Sequence, residues 1–290
     1  MKRGLMRGAF PERLMTVHDL SPDPPLRVRA TAMPPVGMRR AGDAGSGDDH
    51  WPRLRSLGVD GYLVSFGDRL SDRANRAALA FRAALDTASI AGVEETSTSL
   101  ASTYLRFDPT EDESDRIEAA VEKLLAERDW YAAPLPEGRR LWRIPTVFGT
   151  ERAPQLGEAA AAAGLTEAEA IASITGSRLR VQTIGFAPGQ PYLGELAPEW
   201  NIPRQTELTA RVPVGALTVA IRQLVLFAVS TPTGWRHIGQ TAFRAFRPEA
   251  ETAFVLNPGD EVVFEAVPPE AFRDLKASGP DGGAVSEPLS

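Results

Sequence analysis

The chain has 290 residues, no cysteine and a formal net charge of −6. The lack of cysteine excludes disulfides, thiolate metal ligands and a cysteine nucleophile, and it is typical of a cytoplasmic protein. The acidic balance argues against nucleic acid and membranes as partners, and no apolar run reaches the roughly 18 residues of a transmembrane helix. The histidines His18, His50 and His237 are too scattered for a metal site, and the length predicts about two domains.

Residues 1–50 differ in composition from the rest of the chain. They contain six of the 24 prolines and six of the 25 glycines, without helical or strand periodicity. Eight Lys or Arg against six Asp or Glu give them a charge of +2, which leaves −8 for residues 51–290. This pattern predicts a disordered leader over 1–50. An untranslated upstream segment and a tail with its own partner are the alternatives.

Residues 51–147 alternate between strand and helix signals. Apolar and β-branched runs predict strands, while caps and helical spacing predict helices. In chain order the elements are a strand at Gly61–Phe66, a helix capped by Ser71, strands at Val93–Thr98 and Ser102–Phe107, a helix at Thr110–Arg128 and a strand at Leu141–Val147. The order βαββαβ predicts a ferredoxin-like domain over 51–147.

Residues 148–268 are dominated by short strand-like runs. Two helices come first, at Pro154–Ala163 and after the capping box Thr166–Glu169. The strand-like runs follow at 178–184, 211–214, 216–221, 224–229, 241–246, 253–256 and 261–267. Closely spaced strands predict a β-barrel or sandwich, so the whole chain is α+β. Residues 269–290 are predicted to form a frayed C-terminal tail.

The stretch Gly185–Gly194 contains three glycines and two prolines, which exclude regular structure. One interpretation is a rigid loop that brings backbone N–H groups and Tyr192 to a ligand. The other is an ordinary corner of the barrel. No Walker A sequence and no G-x-G-x-x-G after a strand occur anywhere in the chain, so any ATP is bound without those phosphate cradles.

Three further residues are candidates for site chemistry. Arg204 and Arg211 could clamp a carboxylate or phosphate, or they could be ordinary surface arginines. His237 could act as an acid or base near neutral pH, although a single histidine on a strand is more often structural.

The order of these clusters resembles the allophanate hydrolase subunit 1 family, also called the KipI or PxpB family (the B-type subunits of 5-oxoprolinase), a carboxyltransferase-type domain. The resemblance covers roughly residues 55–267. Six segments carry it: Tyr62–Asp68, Ile144–Gly149, Gly185–Leu193, Pro203-Arg204 with Arg211–Gly215, Gly234–Thr241 and Pro258–Asp260. Six ordered matches at compatible spacing form a specific signal.

The resemblance implies a ferredoxin-like domain followed by a cyclophilin-like β-barrel. It also implies the B-type subunit of an ATP-dependent 5-oxoprolinase or an allophanate hydrolase-like complex. The 5-oxoprolinase converts 5-oxoproline, ATP and water to glutamate, ADP and phosphate. The expected partners are the homologous subunit 2, or C-type component, and an A-type component. The chain has no room for a fused second half, so we expect a separate partner chain.

The same resemblance suggests which residues contact the substrate or phosphate, with His237 as a possible catalytic acid or base. The contact residues are Gly185, Phe186, Pro188, Gly189, Tyr192, Arg204, Arg211, Gln223 and Gln240.

Several positions depart from the family pattern. Ile221–Val225 replaces a Gly-Gly-Gln-Thr-Gly turn, of which only Gln223 remains. Gln190 replaces an aromatic residue, Gln240 replaces an arginine, and Glu207–Thr209 replaces a Thr-Pro-Arg, so a further arginine is missing. These losses favour an alternative function, a non-catalytic KipI-like kinase inhibitor or a degenerate interaction protein.

Overall fold

The computed structural model describes residues 51–111 and 113–289, so the predicted leader over 1–50 lies outside the described residues. The helices are α1 Asp72–Ala88, α2 Ser114–Leu125, α3 Leu156–Ala163, α4 Glu167–Thr175 and α5 Ala271–Ala277, with a 3₁₀ turn at Pro198–Trp200. The strands are β1 Arg53–Ser56, β2 Gly61–Ser65, β3 Val93–Ser99, β4 Ser102–Phe107, β5 Arg140–Phe148, β6 Leu179–Ile184, β7 Pro191–Gly194, β8 Thr209–Val212, β9 Ala216–Ala220, β10 Gln223–Leu226, β11 Thr231–Thr233, β12 Arg236–Thr241, β13 Glu261–Ala266 and β14 Val285–Pro288.

The N-terminal lobe is a four-stranded antiparallel sheet in the order β1-β2-β4-β3, packed with α1 and α2. Helix α1 begins as the sequence predicts, because the Ser71 side chain accepts a hydrogen bond from the Ala74 N–H at 3.1 Å. The apolar faces of both helices meet the sheet around Phe81, whose ring packs edge-on against Trp130 with centroids 5.0 Å apart.

The predicted βαββαβ order of this lobe is not confirmed. Its sixth element, the strand at 140–148, pairs in the barrel and not in the four-stranded sheet. The edge place beside β2 is taken by β1, a strand that sequence analysis missed. The reason is burial: seven of the nine residues of β5 are buried, which suits a central barrel strand and not an exposed edge. The predicted boundary at residue 147 therefore cuts a barrel strand.

The C-terminal lobe is a closed seven-stranded barrel, which confirms the predicted α+β class and the barrel. Its strands follow the order β12-β9-β10-β7-β6-β13-β5, and β5 pairs with β12 to close the circle. Side chains of alternate residues fill the interior, among them Ile144, Val181, Leu193, Leu217 and Phe264. Helices α3 and α4 pack on the same apolar cluster.

The C-terminal arm, residues 268–288, is ordered and not the frayed tail that the sequence predicts. It contains helix α5 and strand β14, which pairs antiparallel with the first half of β5. Gly282 lets it pack closely, since a Cβ there would lie 2.4 Å from the carbonyl carbon of Ala242. Within the described part of the chain, no helix is both long and apolar enough to cross a bilayer.

Candidate functional site

A cavity of about 1440 Å³ opens where strand β12, the β5–α3 connection, strand β8 and the C-terminal arm meet. Its polar and charged lining contains three of the sequence-predicted residues, Arg211, His237 and Gln240. The complete lining is Thr150, Glu151, Arg152, Pro154, Gln155, Thr209, Arg211, Pro213, Val214, His237, Gln240, Thr241, Ala242, Phe243, Arg244, Pro269, Glu270, Phe272, Lys276, Gly279 and Pro280.

His237 lies on β12 beside an irregularity in the pairing of that strand with β9, and its residue is 4% exposed. Its backbone N–H donates to Gln155 Oε1 at 2.9 Å and its carbonyl accepts from the Gln155 N–H at 3.0 Å. Its Nε2 is buried without a hydrogen-bond partner among the described residues. Burial lowers the pKa of His237, against smaller raising effects of the Gly239 backbone and the Gln240 side chain. The imidazole is therefore neutral at neutral pH.

Gln240 is the second buried polar residue of the lining. Its Nε2 donates to the carbonyls of Val214 at 2.9 Å and Thr241 at 3.0 Å. Its Oε1 is buried and has no partner among the residues described. Gly215, at φ +80°, permits this arrangement, because a Cβ there would lie 2.3 Å from the Thr241 carbonyl oxygen. The amide thus offers its oxygen to a ligand that donates a hydrogen bond.

A chain of amide side chains holds His237 in place. Gln155, whose Oε1 accepts from the His237 backbone, donates through Nε2 to Gln205 Oε1 at 2.6 Å. Gln205 in turn donates to the Trp235 carbonyl at 3.1 Å and to Thr209 Oγ1 at 3.3 Å. These hydrogen bonds connect β12 with β8 and with the segment that precedes β8. Both sides of the cavity are therefore held in a fixed relative position.

The charge of the lining is positive although the chain is acidic. The lining contains four basic residues, Arg152, Arg211, Arg244 and Lys276, and two acidic ones, Glu151 and Glu270. Arg244 is paired with Glu249, which lies outside the lining. A concave surface of this kind attracts anionic ligands.

Arg204 is not part of the cavity lining, so the predicted Arg204–Arg211 clamp does not form there. The Arg204 guanidinium instead lies over the Trp235 ring, 5.4 Å from its centroid. Tyr192 packs edge-on against the same ring at 6.0 Å. Burial raises the pKa of Tyr192, while the Gln190 side chain and the Arg204 charge oppose this effect. Arg204 is thus held by a cation–π contact at a separate aromatic cluster.

The predicted Gly-Pro loop is also outside the cavity lining. Its first part, residues 185–190, connects β6 and β7, and the Gly185 N–H donates to the Gln190 carbonyl at 3.1 Å. Pro191–Gly194 forms β7, so the prediction that the whole stretch is irregular is wrong. Gly189 packs against Phe246 and the Ala245 carbonyl, where a Cβ would lie 2.8 Å from Phe246 Cβ. Phe186 and Pro188 lie in this connection between neighbouring strands, and their contact with a substrate stays a prediction.

The turn that lacks family glycines keeps a left-handed backbone. Ile221 and Arg222 have φ of +45° and +61°. Their N–H groups donate to the carbonyls of Ile202 at 2.8 Å and Trp200 at 2.9 Å, which holds the turn in place. Replacement of the two glycines by Ile221 and Arg222 therefore does not abolish the left-handed conformation of this turn. Gln223, next along the chain, is buried and donates to Gln182 Oε1 at 2.8 Å, away from the cavity.

Sequence analysis missed several residues of the lining, above all Arg152, Gln155, Phe272 and Lys276. The available signal was the helix-forming run Ala271–Ala277, which sits between prolines and glycines in the segment taken for a tail. No group of three or more His, Asp or Glu side chains suited to a metal ion occurs in residues 51–111 and 113–289.

Comparison with known proteins connects this fold to a family. The family model of the carboxyltransferase domain, subdomain C and D, matches residues 52–256. A Bacillus subtilis protein, named as the B subunit of 5-oxoprolinase, is 27% identical over 234 residues, 77% of this chain and 96% of the relative. An Escherichia coli protein of the same name is 34% identical over 145 residues, 50% of this chain and 66% of the relative.

A solved structure, that of TTHA0988, superimposes with a TM-score of 0.61 and 30% identity over 74% of this chain. The match covers 40% of that longer protein. The family predicted from the six motifs is thereby confirmed, and the chain belongs to the carboxyltransferase-domain family of subdomains C and D.

Proposed function

We propose that this chain is the B-type subunit of an ATP-dependent 5-oxoprolinase complex, a hydrolase acting on a cyclic amide. The observation that carries this proposal is the cavity that Arg211, His237 and Gln240 line. The curated relatives named as B subunits of 5-oxoprolinase support it. Because those relatives are named as subunits, we propose that this chain is active only with partner chains. The proposed partners are the homologous C-type component and an A-type component.

The substrate groups match the groups of the cavity. A 5-oxoproline molecule has a lactam N–H, a carbonyl and a carboxylate. Gln240 Oε1 can accept from the N–H, and Arg211 can neutralise the carboxylate or a phosphoryl group. A neutral His237 can accept a proton from water during ring opening. ATP, as substrate of the complex, would supply the phosphoryl group that activates the inert carbonyl.

The experiment is turnover by the assembled complex. The chain is purified with its partner chains, and glutamate and phosphate released from 5-oxoproline and ATP are measured. We expect equal release of both products, and a loss of about tenfold or more in kcat/KM for Arg211→Gln, since a charge-assisted bond contributes about 1.5–3 kcal/mol. Arg273→Gln is the control, because Arg273 is 90% exposed and absent from the lining. An intact complex without turnover would contradict the proposal.

The alternative of a non-catalytic interaction protein depended partly on the missing glycines at 221–225. Ile221 and Arg222 keep a positive φ without glycine, so this departure does not by itself favour a loss of function.

A further inference from the structure

The C-terminal arm supplies one wall of the cavity. Six lining residues belong to it: Pro269, Glu270, Phe272, Gly279, Pro280 and the cation Lys276. All of them follow the range matched by the family model, which ends at residue 256. This wall is thus formed by a part of the chain that the family match does not include.

No residue of α5 is itself buried. The wall is therefore held in place by contacts of the segments before and after the helix. On one side, the Arg244 N–H donates to the Pro280 carbonyl at 2.9 Å. Arg247 adds an ion pair with Asp281 at 2.7 Å. Strand β14 then pairs with β5, and on the N-terminal side of α5 the Val267 N–H donates to the Thr146 carbonyl at 3.0 Å. Helix α5 is therefore placed by its flanks, and its side chains are available to the cavity and to solvent.

Phe272 fixes a cation at this wall. The Arg152 guanidinium lies over the Phe272 ring, 4.3 Å from its centroid. Within the described residues, Arg152, Arg211 and Lys276 form no ion pair. A guanidinium stacked on a ring is ordered while its N–H donors stay free at the edge of the plane.

We propose that Arg152, Arg211 and Lys276 form a subsite for the phosphoryl group of a ligand, with α5 as its outer wall. A phosphoryl group carries up to two charges and three terminal oxygens, so it can bind several cations at once. The cavity, at about 1440 Å³, also exceeds the roughly 300–1,000 Å³ typical of small-molecule pockets. That size fits a nucleotide or a phosphorylated acid better than a five-membered lactam alone.

The buried atoms of the lining provide an independent sign of a ligand. His237 Nε2 and Gln240 Oε1 both lack partners among the described residues, and their residues are 4% and 5% exposed. An unsatisfied buried polar atom costs about 1–3 kcal/mol, which a hydrogen bond to a ligand would offset. Arg152, Arg211 and Lys276 outnumber Glu151 and Glu270 in the lining, so the wall keeps a net positive charge that favours a phosphate.

The inference rests on the proposed function for its choice of probes. Titration calorimetry on the full chain, alone and with its partner chains, uses inorganic phosphate, Mg-ADP, Mg-ATP, adenosine and 5-oxoproline. Binding of phosphate and of both nucleotides is expected, with none for adenosine. Tighter binding of the nucleotides than of phosphate would show that the phosphoryl group belongs to a nucleotide. Equal affinities for phosphate and for the nucleotides would show that the site recognises the phosphoryl group alone.

Substitutions test the residues. Lys276→Gln and Arg152→Gln should each weaken binding of the phosphoryl probes about tenfold, equivalent to about 1.4 kcal/mol, and Lys276→Arg should retain it. Arg273→Gln, on the same helix and outside the lining, should bind as the wild type does. Melting temperatures of all four variants check the fold. Failure of every phosphoryl probe to bind, or wild-type affinity in both Gln variants, overturns the inference.

The two proposals can fail separately. Turnover of 5-oxoproline by the complex, without phosphoryl binding at these residues, overturns the subsite and leaves the proposed function standing. Phosphoryl binding that Lys276→Gln weakens, in a complex without turnover, supports the subsite and contradicts the proposed function.

Discussion

At the scale of single residues, His237 is held in its strand by backbone hydrogen bonds. Both of its backbone hydrogen-bonding groups are used by Gln155, so the strand is fixed there without help from the ring. The ring is consequently free of structural hydrogen bonds at Nε2 while it stays buried. The sequence raises the possibility of acid–base chemistry, but burial and the unpartnered nitrogen are visible only in the fold.

The lowered pKa of His237 predicts a pH dependence of stability. The folded protein binds the proton of this imidazole more weakly than the unfolded chain does. As pH falls below the usual value of 6.5, the unfolded state is protonated first and stability is lost until the lower folded-state pKa is reached. The slope from this group is at most about 1.4 kcal/mol per pH unit.

We expect His237→Gln to remove that slope. The free energy of unfolding is measured by denaturant titration at pH 7.5 and pH 5.5 for both proteins. His18 and His50 are common to both and cancel in the difference. An identical loss of stability on acidification in the variant and the wild type would show that His237 titrates normally.

At the scale of elements, the sequence predicts best where a local signal decides the structure. The cap at Ser71 and the capping box Thr166–Glu169 both form as expected. Strand β12 was missed because three of its five buried residues, His237, Gln240 and Thr241, are polar where a β pattern calls for apolar side chains. The same buried polar residues line the cavity.

Strand β5 and the C-terminal arm were misplaced for a different reason. Strand propensity identifies a strand at Leu141–Val147, but it does not say which of two sheets will accept it. The arm buries few apolar side chains and is held by backbone pairing and by the close approach of Gly282. Neither long-range pairing nor close packing of a glycine leaves a periodic signal in the sequence.

Gly282→Ala should therefore detach the arm. At φ +55° an alanine is strained, and its Cβ would lie 2.6 Å from the Phe243 nitrogen. We expect a loss of about 2–4 kcal/mol in the free energy of unfolding, from the left-handed backbone and the overlap together. Hydrogen exchange should speed up in β14.

Gly138→Ala is the matched control. It has φ +77° and no atom within 4 Å of the added Cβ, so it carries only the backbone cost of about 1–2 kcal/mol. Equal losses in the two variants would exclude close packing as the cause.

At the scale of the whole molecule, the two lobes are joined by buried hydrogen bonds. The Asn75 side chain on α1 donates to the Leu100 carbonyl at 2.8 Å and to the Gln182 carbonyl on β6 at 2.9 Å. Thr183 Oγ1 donates to the Thr98 carbonyl at 2.7 Å. Residues 49–290 form one compact unit, so the lobes are expected to unfold in one transition.

Asn75→Ala tests this coupling. It removes the buried hydrogen bond to Gln182 between the lobes and the partly buried one to Leu100, and a loss of about 2–3 kcal/mol is expected. Thermal unfolding is followed by tryptophan fluorescence and by circular dichroism. Asn201→Ala, at an exposed position, is the control and should change stability by less than about 0.5 kcal/mol. A loss for Asn75→Ala as small as that of the control would mean that the lobes are held together elsewhere.

The position of β5 has a consequence for how the chain folds. The strands of the four-stranded sheet are close to one another in sequence. The partners of β5 are distant in sequence, since Phe148 pairs with Gly239 and Leu141 with Glu261. Such non-local pairing is slow, because loop-closure entropy is lost before the contacts form. During that delay β5 is an apolar strand with two open edges, a template for pairing between chains. We therefore expect newly made protein to be most prone to aggregation before the barrel closes, so synthesis at lower temperature should raise the soluble fraction.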